Sequence, residues 1–267
     1  LTGILLRKSI LDWWRSWRSL ASAWIRAGFF EKMLGLFIFL MLGNALIVSL
    51  APPLGWDALT YHIAVPRAFL LAGRITYLPE NAFWGMSALV EMLHTLSMLF
   101  GGDEAAALLG WAMGCLAITG ILGFVNERFG LRAAWSAAAC LLAGETFSTS
   151  LAWGYVEWPS MLFGVAMLVA LDDWLAGYSK NHIVLAGIFA GLALGTKYTS
   201  GILLIAGVVV ILSQIRSLRW QRTSIAILLF GASAILVMLP WLGKNFLATG
   251  NPFYPSFFPS GAMDQFR

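Results

Sequence analysis

Ile183–Ser213 reads IVLAGIFAGLALGTKYTSGILLIAGVVVILS, an apolar run interrupted only by the polar group Thr196-Lys197-Tyr198-Thr199. As one helix it is long for a bilayer core of about 30 Å, and as two it is short for a pair of spans. Charge decides between them. With two helices, the loops holding Arg128 and Arg132, Lys180, and Arg216, Arg219 and Arg222 share the side of the basic N-terminal segment, which then carries 12 of the 17 Lys and Arg. One long helix would send the three-Arg loop to the opposite side, against the preference of cytoplasmic loops for Lys and Arg. The run is therefore expected to be a helical hairpin with Lys197 at its outward tip.

Apolar runs of the same kind recur at roughly 32–51, 105–125, 133–151, 158–175 and 224–243, so with 183–197 and 199–213 about seven crossings are expected. Composition agrees: 60% of the 267 residues are hydrophobic and 11% charged, against about 45–50% and about 25% in soluble domains. With a mean hydropathy of +0.79, a soluble domain on a single anchor is excluded. The expected fold class is all-α, a polytopic membrane protein with about seven transmembrane helices and two interfacial helices in the first extracytoplasmic loop. The net charge of +4 reflects basic loops on one membrane side rather than a nucleic-acid partner. Cys115 and Cys140, each alone in an apolar run, form neither a metal set nor a disulfide framework.

Residues 1–30 are expected to be a basic amphipathic helix in the interface plane. Ile10, Trp14, Trp17, Ala21 and Trp24 recur every three or four positions among Lys8, Arg15, Arg18 and Arg26. Residues 31–267 form the transmembrane domain, with a first outer loop at 52–104. Leu1 in place of Met, and the loop-like Met263-Asp264-Gln265-Phe266-Arg267, lead to the expectation that the chain is part of a longer one. Within the outer loop, Ala58–Gly73 and Phe83–Phe100 have helical apolar spacing, and Gly101-Gly102 gives the second a stop. The outer side receives 8 of the 13 acids, Asp57, Glu80, Glu91, Glu145 and Glu157 among them.

Several of these acids can do chemistry or merely hold structure. Asp57, beside Trp56, Tyr61 and His62 and a few residues from hydrocarbon, can take a proton from an acceptor hydroxyl; it can equally be the N-cap of the helix starting at Ala58. Glu157 heads the fourth span within an aromatic belt, where a first-turn acid also suits the helix dipole. Glu145 falls about two-thirds of the way across the third span, where burial is costly unless neighbouring hydroxyls bond it. Glu91 and His94 share a helical face at a spacing metal sites use, although a solvated polar face needs no ion. Lys197 must find water, a carboxylate or a phosphate, and Lys244 ends the seventh span on the same side.

The sequence Trp56-Asp57-Ala58-Leu59-Thr60-Tyr61-His62 after a first span, then Tyr155-Val156-Glu157, Gly195-Thr196-Lys197-Tyr198, and Lys244 with Gly250-Asn251-Pro252-Phe253-Tyr254-Pro255 resembles the GT-C membrane glycosyltransferases. The likeness is to bacterial relatives of protein O-mannosyltransferase and of the lipid A aminoarabinose transferase, over roughly residues 30–260. It implies a catalytic role for Asp57, a second site or metal-facing carboxylate at Glu157, and donor binding through Tyr61, His62, Lys197, Tyr198 and Lys244. It also implies sugar transfer from a polyprenyl-phosphate carrier to a lipid, glycan or protein acceptor at the extracytoplasmic face of a bacterial inner or plasma membrane, with the N-terminus cytoplasmic. Where some relatives have Asp-Glu, this chain has Asp57-Ala58. That departure weakens the case for a divalent metal ion and keeps open a non-catalytic scaffold of a larger membrane complex.

Overall fold

The computed structural model describes residues 24–25 and 27–258, so most of the N-terminal amphipathic segment and the last nine residues, 259–267, lie outside the described part. The described regular elements are all helical: α1 (Phe29–Ser49), α2 (Ala64–Ala72), α3 (Leu89–Phe129), α4 (Leu131–Ala143), α5 (Glu145–Ser150), α6 (Glu157–Gly177), α7 (Lys180–Thr196), α8 (Gly201–Ser213) and α9 (Ile215–Thr249). Short π and 3₁₀ turns occupy Ala58–His62, Ala82–Gly85 and Tyr198–Ser200. α1, α3, α6 and α9 are long and apolar enough to cross a membrane, and α4 and α8 are shorter apolar helices.

Lys197 breaks the Ile183–Ser213 run, as expected. Its backbone is extended (φ −153°, ψ 129°), which separates α7 from α8. The two helices fold back as a hairpin. Gly187 and Gly207, equidistant from Lys197, both abut Phe230 of α9, and Ile183 and Ile211 share one buried cluster. Gly201, just past the tip, faces Leu194.

Small residues let α7 and α9 approach closely. Gly187 and Gly191 of α7 meet Phe230 and Ala234 of α9, beside the buried Ala186 and Ala190, and a Cβ added at Gly191 would lie 2.6 Å from the Ala234 carbonyl oxygen. Lipid tails are as apolar as Leu, so close backbone approach, rather than burial of large side chains, holds such helices together. Many large apolar residues face outward, including Phe39 and Ile47 on α1, Ile202, Ile205 and Val209 on α8, and Leu228 and Leu236 on α9, while Trp158, Trp174 and Phe230 are buried in the core.

One expectation fails here. The third span, expected at 133–151, ends at Ala143, because Gly144 is extended (φ −77°, ψ 128°) and Glu145 opens the separate helix α5. Glu145 is exposed on the molecular surface instead of buried within the bundle. Gly101-Gly102 stops the helix begun at Leu89, as expected: Gly101 (φ −160°, ψ 27°) and Gly102 (φ 65°, ψ −156°) leave helical geometry, and a second helical segment of α3 runs from this kink to Phe129.

The chain reversals sort to two ends of the bundle. At one, Arg132 pairs with Glu31 at 3.0 Å, Arg128 pairs with Asp172, and the Tyr178 hydroxyl donates to Gln214. The start of α1 and the α3/α4, α6/α7 and α8/α9 turns therefore share that end. The outer-loop elements, the start of α6 and the hairpin tip share the other.

Candidate active site

Trp56 and Asp57 begin a helical turn that widens into a π-turn at Ala58–His62 before α2 starts. Ala58 and Ile63 pack with Met98 and Ala106 of α3, fixing the turn on the bend of that helix. Asp57 itself has helical angles (φ −64°, ψ −37°) and its carboxylate caps nothing, which removes the N-cap alternative. Its backbone N–H points to the Tyr155 hydroxyl at 3.4 Å. Gly55 permits this approach, since a Cβ there would lie 2.7 Å from the same hydroxyl.

Tyr61 stacks on Phe83 with ring centroids 4.5 Å apart. Burial pushes its hydroxyl above the ordinary tyrosine range, and the charge of Asp57 and a hydrogen bond to it push further in the same direction, with Glu157 and Glu91 contributing. Tyr155 is raised by burial as well. Both phenols stay protonated at neutral pH and can donate to the Asp57 carboxylate or to a substrate oxygen.

His62 is buried, and its Nδ1 lies 2.6 Å from Glu91 Oε1. One turn further along α3, His94 donates from Nδ1 to the His62 carbonyl oxygen at 3.1 Å. Glu91 and His94 thus grip the side chain and the backbone of the last π-turn residue. Both are buried, so the solvated-face alternative fails. The spacing was visible in the sequence; its partner, 29 residues upstream of Glu91, was not.

Glu157 stands in the first turn of α6, and Lys197 reaches it at 2.6 Å. The bond closes over a distance of 40 residues and ties the hairpin tip to α6, helped by Ser160 and Ser200 with their hydroxyls 2.6 Å apart. Lys244 is engaged elsewhere: its ammonium lies 3.9 Å from the Trp84 ring centroid and donates to the Trp84 carbonyl. The neighbouring Asn245, buried, donates to the carbonyls of Gly85 and Tyr254, and the Tyr198 hydroxyl donates to Gly85 at 3.4 Å. The aromatic turn at 82–85 is thereby fastened to α9. A cleft opens between these parts, lined by Tyr61, Trp84, Ser87, Glu91, Trp241 and Lys244.

The structure therefore brings Asp57, Tyr61, Glu157 and Lys197 to one end of the bundle, with His62 as a buried support and with Tyr198 and Lys244 on the adjoining wall. Sequence reasoning passed over Tyr155, Trp84 and Asn245. Tyr155 carried a signal, standing two residues before Glu157 within the quoted motif; Trp84 and Asn245 act through backbone carbonyls, which no motif encodes. Among the described residues no three His, Cys, Asp or Glu side chains converge on a point that could hold a metal ion. His62 pairs with Glu91 and Glu157 with Lys197, while Glu91 Oε2, Glu157 Oε2, His62 Nε2 and His94 Nε2 are buried without a hydrogen-bond partner.

An all-helical bundle with apolar exterior faces, and with acids, phenols and ammonium groups gathered at one end, is the architecture of a GT-C type membrane glycosyltransferase. A family model described as dolichyl-phosphate-mannose-protein mannosyltransferase matches residues 88–243, more than half of the chain, and the chain belongs to that family. The match includes Glu157, Lys197 and Tyr198; Asp57, Tyr61, His62 and Lys244 lie outside it. No curated protein and no solved structure matches the chain.

Proposed function

We propose that this protein transfers a sugar from a polyprenyl-phosphate carrier to an acceptor hydroxyl or amine, with Asp57 as the base. The Asp57 carboxylate takes the acceptor proton as the acceptor atom bonds to the anomeric carbon. The bond from that carbon to the carrier phosphate breaks, and the polyprenyl phosphate departs with the electron pair. Lys197 and Lys244 stabilise the negative charge that grows on the leaving phosphate. Glu157 holds Lys197 in position and offsets its charge while the site is empty of donor. Tyr61, Tyr198 and the His62 turn shape the sugar pocket. No step runs through a metal ion.

The observation that carries this reading is the state of Asp57. It caps no helix, forms no ion pair among the described residues, and sits beside protonated phenols, whereas Glu157 is already paired.

The topology we infer has about seven crossings, α7 and α8 supplying two short ones, with α2 and the first part of α3 lying in the interface. Residues 1–30 form a basic anchoring segment and 31–267 the GT-C domain. The basic end is cytoplasmic, and the site opens extracytoplasmically at a bacterial inner or plasma membrane. The acceptor is a lipid, glycan or protein.

Purified protein in liposomes, given a labelled polyprenyl-phosphate sugar and candidate acceptors, tests the reading. Transfer by the wild type and its loss in Asp57→Asn, with the fold retained, is the expected result. Turnover unchanged in Asp57→Asn would sink it. Stable co-purification with a larger complex and no lipid-sugar turnover would favour the scaffold.

A further inference from the structure

The basic end of the bundle carries a second cleft that the transfer reaction does not use. It lies between the end of α6, the start of α7 and the first turns of α9, with about 870 Å³ of empty space open on one side. Buried Trp174, Ile183 and Ala226 form its floor, and Lys180 and Arg222 stand exposed at its rim. Neither cation has an ion-pair partner among the described residues, whereas Arg128 and Arg132 at the same end are both paired. Ile225 and Leu229 continue the floor toward the lipid-facing side of α9, where Leu228 and Ile235 are exposed. Tyr178 closes the opposite side through its bond to Gln214.

We propose that this cleft binds one anionic phospholipid, its phosphate between Lys180 and Arg222 and an acyl chain along Ile225 and Leu229. Two features select that ligand. The two rim cations have no ion-pair partner among the described residues, and basic pockets between helices at the cytoplasmic face suit anionic head groups. The apolar floor runs out onto lipid-facing surface, which a free phosphate would not use. The leaflet assignment rests on the topology proposed above; the site itself does not depend on the transfer reaction.

The test is native mass spectrometry of the delipidated full chain titrated with phosphatidylglycerol or phosphatidylcholine. A preference for phosphatidylglycerol of about thirtyfold is expected from two cations. Lys180→Gln with Arg222→Gln should abolish the preference, and Ile225→Trp, which fills the floor and leaves both charges, should weaken binding of either lipid. Asp57→Asn should bind as the wild type does, which separates failure of this proposal from failure of the catalytic one. Equal binding of the two lipids, a preference that survives the double substitution, or full competition by glycerol 1-phosphate alone would each overturn the proposal.

Discussion

At the basic end of the bundle, Arg132 with Glu31 and Arg128 with Asp172 join neighbouring helix turns, each pairing a more exposed side chain with a less exposed one. At the opposite end, Lys197 and Glu157 are exposed to a comparable degree, at 36% and 23%, but Lys244 lies against an aromatic ring. Partly exposed pairs contribute about 0–1 kcal/mol, and those at the basic end serve mainly to fix which turns sit together. The Lys244 ammonium, packed on Trp84, is held in lower dielectric, where it acts more strongly on whatever enters. The same few residue types thus do topological work at one end and are poised for chemistry at the other; what separates them is the surrounding aromatic and backbone structure.

The largest expected effect breaks the chemical end alone. Asp57→Asn should lower sugar transfer by about 10²–10⁴-fold, the usual worth of a positioned base, while thermal stability in detergent stays near that of the wild type. Next, Glu157→Gln leaves Lys197 without its counter-ion; transfer should fall by about tenfold, and stability by about 1 kcal/mol after allowing for solvent screening. By contrast, Arg132→Gln at the other end should leave transfer rates unaltered in the same assay.

Packing supplies a smaller, purely structural effect. A Cβ at Gly85 would run into the Tyr254 ring, so Gly85→Ala should cost about 1–3 kcal/mol, measured as a lowered unfolding midpoint. The smallest effect concerns pH. Because the folded protein holds the Tyr61 proton more tightly than the unfolded chain does, its contribution to stability is complete below about pH 10 and is lost as pH rises beyond it. Tyr61→Phe should flatten the alkaline decline in a stability-against-pH profile; an unchanged slope would mean that burial and the Asp57 charge do not hold the Tyr61 proton.

Much of the frame was legible because it follows from local rules. Lys197 in the middle of an apolar run announces a break, since an ammonium cannot stay in hydrocarbon unpaired, and the Arg loops fix which ends share a side. The Gly144 break was not legible: glycine is common inside membrane helices, and only the tertiary fit of α5 reveals that the helix stops there. At the site, sequence order placed Asp57, Glu157 and Lys197 on one side. Which acid meets Lys197, and that Tyr155 reaches Asp57 from 98 positions away, are facts of packing that no local pattern carries.

The two 13-residue helices α4 and α8 carry a mechanical consequence for the membrane itself. Each is about 20 Å long, well short of the roughly 30 Å of bilayer hydrocarbon it meets, and a bilayer answers such mismatch by thinning at modest cost. With the topology and the lipid-carried donor proposed above, the protein would dimple its own membrane along two flanks, and beside α8 that dimple would shorten the climb of a carrier's head group to the ammonium of Lys197.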